Sequence, residues 1–190
     1  MKPNILTSGG TYFHFLEPER SAIDIETIAH ALAHICRFTG HTATFYSVAQ
    51  HSVLVSRLVP PEHALAGLLH DAAEAYLGDV ASPLKQLLPD YRAIEARVEA
   101  AVLTRFGLGP TLPPEVREAD LCALMIEARD LMPDEARDWD FGPTPSAVAR
   151  FAEEIDHMSI NDARRLFLAR YFELTPRVAR SETATDWSAA

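Results

Sequence analysis

Ala64 to Leu77 read ALAGLLHDAAEAYL. Wound as one helix, this stretch is apolar nearly all the way round, and such a helix belongs in a core. Yet it carries His70, Asp71 and Glu74, with the milder Tyr76 near its end. Burying three titratable groups is costly unless a metal or a partner network satisfies them. The rest of the chain must therefore bring polar groups to meet them. Adjacent helical residues lie about 100° apart, so His70 and Asp71 flank one line. Glu74 follows His70 by four residues and Asp71 by three, and hangs over the same spot. Gly67 completes the stripe one turn earlier, where a missing side chain leaves room. The opposite stripe, Leu65, Leu69, Ala72 and Tyr76, anchors the helix to the core. Imidazole nitrogen combined with carboxylate oxygen suits a divalent transition metal better than Ca²⁺ or a thiolate site.

The 190 residues, 48% of them hydrophobic and 23% charged, fit one domain over 1–190 with a sizeable core. The formal net charge is −10, with no long block of Lys or Arg. That balance argues against nucleic acid as the partner and leaves a small anionic substrate open. Cys36 and Cys122 form no CxxC pair, as expected of two buried free thiols in a cytosolic protein. The N-terminus MKPNILTSGG lacks the apolar segment of a secretory signal. No apolar run approaches the ~20 residues of a membrane span. The expectation is a soluble, cytoplasmic protein without membrane contact.

The pattern along the chain predicts an all-α fold of six or seven helices with a minor N-terminal β-hairpin. Residues 4–15 are β-prone on both sides of Ser8-Gly9-Gly10. Asp24 caps a helix to about Phe38, with Ile25, Ile28, Leu32 and Ile35 inward and His30, His34 and Arg37 opposite. Ser47 and Gln50 form a capping box for a helix to about Val59, stopped by Pro60-Pro61. The 64–77 helix follows and ends at Gly78. Asp79 to Pro83 is a loop leading into a short turn that carries Lys85. Asp90 to about Phe106 is a long amphipathic helix. Glu115 to Met132 is another, with Leu121, Leu124, Met125, Ala128 and Leu131 inward and Asp120 at the edge of that face. Residues 133–146, with the acidic-aromatic DWDF cluster at Asp138 to Phe141, read as a loop. A helix at 146–155 follows. Ser159 and Asp162 cap a last helix to Leu174, and a loose tail begins at 176.

Two polar residues sit where the pattern expects core. His51 is in phase with Val48, Val55 and Leu58, and Asp120 aligns with Leu124 and Leu131. Added to His70 and Asp71 they make a His₂Asp₂ set, which leaves coordination positions open for water and substrate. Glu74 is then close enough to take or give a proton. Each residue alone has a plainer account: His51 as a satisfied core histidine, Asp120 as a helix N-terminal acid, Arg37 and Lys85 as solvated surface. His30 and His34 have metal-compatible spacing but no third ligand, and are surface or cleft residues.

SVAQHS around His51, LLHDAAE across 68–74, GDVASPLK across 78–85 and READLCALMIEA across 117–128 resemble the HD-domain metal-dependent phosphohydrolases. The similarity covers roughly 24–132. It is greatest to the branch of bacterial 5′-deoxynucleotidases and phage-type deoxynucleoside triphosphohydrolases. The resemblance implies metal ligation by His51, His70, Asp71 and Asp120, with catalytic roles for Glu74 and Asp79. It also implies an arginine upstream of the first histidine, here Arg37, that holds substrate phosphate or sugar. Lys85 is in place to hold phosphate as well. The implied cofactor is one divalent ion (Mn, Co, Fe, Zn or Mg), and the implied partner is a small nucleotide. The expected activity is hydrolysis of deoxynucleoside monophosphates, with dNTP triphosphohydrolysis as the alternative. A metal-bound regulatory or scaffold domain without turnover is the alternative of another class. Apolar helix surface beyond what one small domain needs points to a homo-oligomer.

Overall fold

The computed structural model describes residues 2–139, 148 and 154–175. Among them the fold is helical, with one two-stranded sheet. β1 (Asn4–Leu6) and β2 (Tyr12–His14) pair antiparallel with Ile5 opposite Phe13, as the β-prone arms predict. Phe13 is fully buried and stacks on Tyr76, ring centroids 3.9 Å apart, so the hairpin is pinned to the 64–77 stretch.

α1 (Ile25–His34) begins where expected, with the Asp24 carboxylate accepting from the Thr27 amide. It ends at His34, four residues before the predicted Phe38. The cause is long-range. Cys36 forms a β-bridge with Ser47, and the Arg37 amide donates to the Tyr46 carbonyl at 2.8 Å, which pulls the backbone straight. Arg37 therefore leaves the α1 face and starts a separate tight turn, Arg37–Gly40. Cys36 is only half-buried, unlike the buried Cys122, and both thiols are free.

α2 (Val48–Leu58) opens on the predicted capping box, with Ser47 and Gln50 bonded reciprocally. This helix is the centre of the fold and packs against α1 and against the helices at Ala64–Leu69, Pro114–Leu131 and Ile160–Leu174. After a 3₁₀ turn at Pro61–His63, the 64–77 stretch forms two pieces rather than one helix: α3 (Ala64–Leu69) and α4 (Glu74–Leu77). Between them the amides of Ala72, Glu74, Ala75 and Tyr76 each bond three residues back. That 3₁₀ tightening brings residues three apart into line and stacks Asp71 over Glu74. The space beside Gly67 is not open, as expected, but filled by α2. A Cβ there would stand 3.2 Å from the Ser56 Cα, so glycine sets how closely the two helices approach.

α5 (Ser82–Lys85) is the expected short turn, and α6 (Pro89–Arg105) the long amphipathic helix. α7 (Pro114–Leu131) is turned from the predicted stripe. Val116, Ala119, Cys122, Ala123, Ile126, Glu127, Ala128 and Leu131 are buried, while Leu121, Leu124 and Met125 are only partly so. Ala119, Ala123 and Ile126 are small enough, or well enough placed, to meet Leu54, Val55 and Ala66 in one apolar cluster. Asp120 sits at the edge of that face, as expected. A 3₁₀ turn at Asp134–Asp138 follows. α8 (Ile160–Leu174) is capped by Ser159, which accepts from the Asp162 amide. Most of the 146–155 helix, part of the DWDF cluster and the tail from 176 lie outside the described residues. Among the described residues, no helix is long and apolar enough to cross a membrane.

Candidate metal centre

His51 is delivered by α2 and is fully buried. His70 closes α3, and Asp71 lies in the tight turn that follows. Asp120 arrives from α7. Nε2 of His51 stands 3.2 Å from Nε2 of His70, 3.1 Å from Oδ1 of Asp120 and 3.5 Å from Oδ2 of Asp71. Nε2 of His70 is 3.1 Å from Oδ2 of Asp71 and 3.9 Å from Oδ1 of Asp120. Ligand atoms of His51, His70 and Asp120 all fall within 4.8 Å of one another, close enough to hold one metal ion. His51, His70 and Asp120 are thus brought to one point from three helical elements, with the Asp71 carboxylate beside both histidines.

The outer nitrogens decide which way the rings present themselves. Nδ1 of His70 lies 2.8 Å from the Gly67 carbonyl, which can only accept, so Nδ1 carries the hydrogen. Nδ1 of His51 lies 2.6 Å from the Glu127 carboxylate and donates to it. Two neutral imidazoles held this way aim Nε2 lone pairs at each other and at two carboxylates. A positive charge belongs between them, and a divalent cation fits an N₂O₂ donor set. Gly67 therefore serves the centre through its carbonyl rather than through empty space.

A proton is the competing charge. Burial and the Arg37 cation press the His51 pKa down, but Glu127 and Asp120 outweigh them and hold it at about 9. Burial likewise lowers His70, and Asp71 reverses that, leaving it raised. Burial alone would lift Asp71, yet His70, His51 and Arg37 hold it well below the carboxylate range. Because the His51 value is raised, its pairing stabilises the metal-free fold fully below the ordinary histidine pKa, and that contribution is lost as pH rises through about 9. Metal must displace this proton. Affinity is therefore expected to rise about tenfold per pH unit for each proton displaced, levelling off above about pH 9. Metal titrations between about pH 6 and 10 check this; an affinity independent of pH would exclude ligation by His51.

A cavity of about 610 Å³ opens beside the cluster. Its lining includes the charged Asp71, Glu74, Asp79, Asp120, Arg37 and Lys85 and the apolar Phe38, Val80, Pro83, Leu124 and Trp139. Glu74 is 7% exposed, and its Oε2 is buried without a hydrogen-bond partner. Burial first, then Asp71 and Asp79, push its pKa well above the usual carboxylate range. Asp79 follows Gly78, whose φ of 79° turns the chain out of α4; burial raises its carboxyl too. Lys85 Nζ is 2.6 Å from Glu95 Oε1, so its charge is already shared with a carboxylate.

Arg37 departs most from expectation. It is not a solvated helix residue: its side chain is 14% exposed and pairs with Glu127 at 3.1 Å. The next two residues, Phe38 and Thr39, have φ of 53° and 54°, left-handed values that cost about 1–2 kcal/mol each for non-glycine residues. That strained turn sets the Phe38 ring 5.4 Å from the Arg37 guanidinium and 6.2 Å from the Trp139 ring. Glu127, fully buried between His51 and Arg37, was missed from sequence. Its signal was its position two helical turns beyond Asp120, on one face of α7.

No family model matches the chain. It is 46% identical over 171 residues to the uncharacterized protein YfdR of Escherichia coli (strain K12), a match spanning 90% of this chain and 95% of that protein. It is 39% identical over 130 residues to an uncharacterized protein of Rhodobacter capsulatus, spanning 63% and 66%.

Proposed function

We propose that this chain, which belongs to one family with YfdR of Escherichia coli, is a metal-dependent hydrolase of nucleotide phosphate esters, acting foremost on deoxynucleoside 5′-monophosphates. The observation that carries the proposal is the joining of three features at one cavity. A His/Asp cluster able to hold a metal lies beside a buried carboxylate oxygen that has no hydrogen-bond partner, and aromatic side chains line the same cavity. The motif resemblance to HD-domain phosphohydrolases supports the same reading.

His51, His70, Asp71 and Asp120 would hold a divalent ion, which would supply Lewis acidity toward a phosphate oxygen and lower the pKa of water. The chain's own residues do the rest. Glu74, its proton affinity raised by burial and by Asp71, takes the proton of the attacking water. Asp79, on a loop that lines the cavity, orients that water or assists the leaving oxygen. Arg37 offsets charge on the phosphate, held ready by Glu127 so that little reorganisation is needed. Phe38, Leu124 and Trp139 offer the flat apolar surface that a nucleobase stacks on.

Charge favours the monophosphate. Among the described residues, the cavity lining has two cations, Arg37 and Lys85, against four carboxylates, and Lys85 is already engaged by Glu95. A triphosphate would bring more negative charge to that wall than these two can offset. Purified protein supplied with Mn²⁺ or Co²⁺ is expected to release inorganic phosphate from deoxynucleoside monophosphates, and faster than from ribose 5-phosphate, which has no base to stack. Release of tripolyphosphate from dNTPs would move the assignment to a triphosphohydrolase. Bound metal without turnover of any phosphoester would make this a regulatory or scaffold domain.

A further inference from the structure

We infer that Glu127 is a positioning residue that ties metal ligation to anion binding, one carboxylate serving both. The anion half of this inference rests on the phosphohydrolase reading; the metal half does not.

The geometry is specific. Glu127 is fully buried on α7. Its Oε1 accepts from His51 Nδ1 at 2.6 Å, and its Oε2 accepts from Arg37 at 3.1 Å. Each oxygen thus faces a different donor, His51 of the metal cluster and Arg37 of the cavity lining. The first bond fixes the His51 tautomer with its lone pair on Nε2, where the other cluster atoms converge. The second holds the guanidinium at the cavity wall, in a segment whose backbone is left-handed immediately afterwards. Burial opposes the charge on Glu127, but His51 and then Arg37 more than compensate, so it stays ionised.

A glutamine cannot do this work, although it has nearly the same shape. Its oxygen can accept from only one of the two donors, and its NH₂ must face the other. With the oxygen toward His51, the amide confronts the Arg37 N–H groups and releases the guanidinium. With the oxygen toward Arg37, the amide donates to His51 Nδ1, which moves the ring hydrogen to Nε2 and removes a ligand. Glu127→Gln therefore damages one function whichever way it turns. A mixture of the two orientations damages both. Glu127→Asp keeps the charge but is one methylene shorter, and cannot hold both contacts together.

The test needs no turnover. Mn²⁺ binding and inorganic phosphate binding are measured by calorimetry on wild type, Glu127→Gln and Glu127→Asp, with melting of the metal-free proteins as the fold control. Wild type is expected to bind both. Folded Glu127→Gln is expected to lose about 10–100-fold in Mn²⁺ affinity, phosphate affinity, or both. If the glutamine variant does not fold, Glu127→Asp decides: weaker binding of either ligand supports the role, and unchanged binding of both overturns it. Glu127→Gln that melts earlier yet binds both ligands as wild type would reduce Glu127 to a structural ion pair. Wild type that binds Mn²⁺ but no phosphate overturns the anion half. Wild type that binds both but hydrolyses nothing ends the proposed function and leaves the Glu127 inference standing.

Discussion

His70→Ala is expected to purify without stoichiometric metal and to be inactive on every nucleotide tested. His70 brings Nε2 to 3.2 Å from that of His51 and 3.1 Å from Oδ2 of Asp71, so its loss removes a central member of the cluster. Loss of an outer-shell partner alone costs about 10–100-fold in metal affinity, and loss of a ligand should exceed that. Asp71→Ala should behave likewise. Elemental analysis and phosphate release read the two effects separately. If both variants keep full metal content and full activity, neither the metal centre nor the reaction lies where it is placed here.

Glu74→Gln should separate chemistry from binding. Glu74 lies against the cluster but is assigned to the proton rather than to the metal, so metal content should be unchanged. Removing a positioned acid–base group is expected to lower kcat by about 10²–10⁴-fold with little change in KM. Stability should move in the opposite direction. The folded-state pKa of Glu74 is raised, chiefly by burial and then by Asp71 and Asp79. Its ionisation therefore opposes folding as pH rises above the ordinary carboxylate value, and a neutral glutamine relieves that cost. An inactive variant with a higher melting temperature at neutral pH is the expected result. An active variant would remove Glu74 from the mechanism.

Some features were legible because their causes are local. The caps at Asp24, Ser47 and Ser159 each act on an amide three residues ahead, and all three stand as expected. The hairpin, the helix over 89–105 and the short turn bearing Lys85 were likewise readable from turn residues and periodicity. Errors arose where a distant segment intervened. α1 stops early because residues 36 and 37 pair with 46 and 47. The α7 stripe turned because small residues face α2. Glu127 was hidden because apolar periodicity counts a glutamate as solvent-facing, and only a histidine and an arginine from other segments make it otherwise.

The opening stretch shows the same division. By itself, ALAGLLHDAAEAYL determined that His70, Asp71 and Glu74 share one buried face and need partners, because side-chain direction on a helix follows from spacing. His51 and Asp120 could be named for the same reason: each breaks an apolar pattern. Only the tertiary structure decided that the stretch tightens into 3₁₀ geometry between two helical pieces, that Gly67 packs against α2 while its carbonyl orients His70, and that Glu127 and Arg37 stand behind His51. Those outcomes depend on how closely whole helices approach and which buried charge finds which donor, and neither is encoded in the spacing of residues along one chain segment.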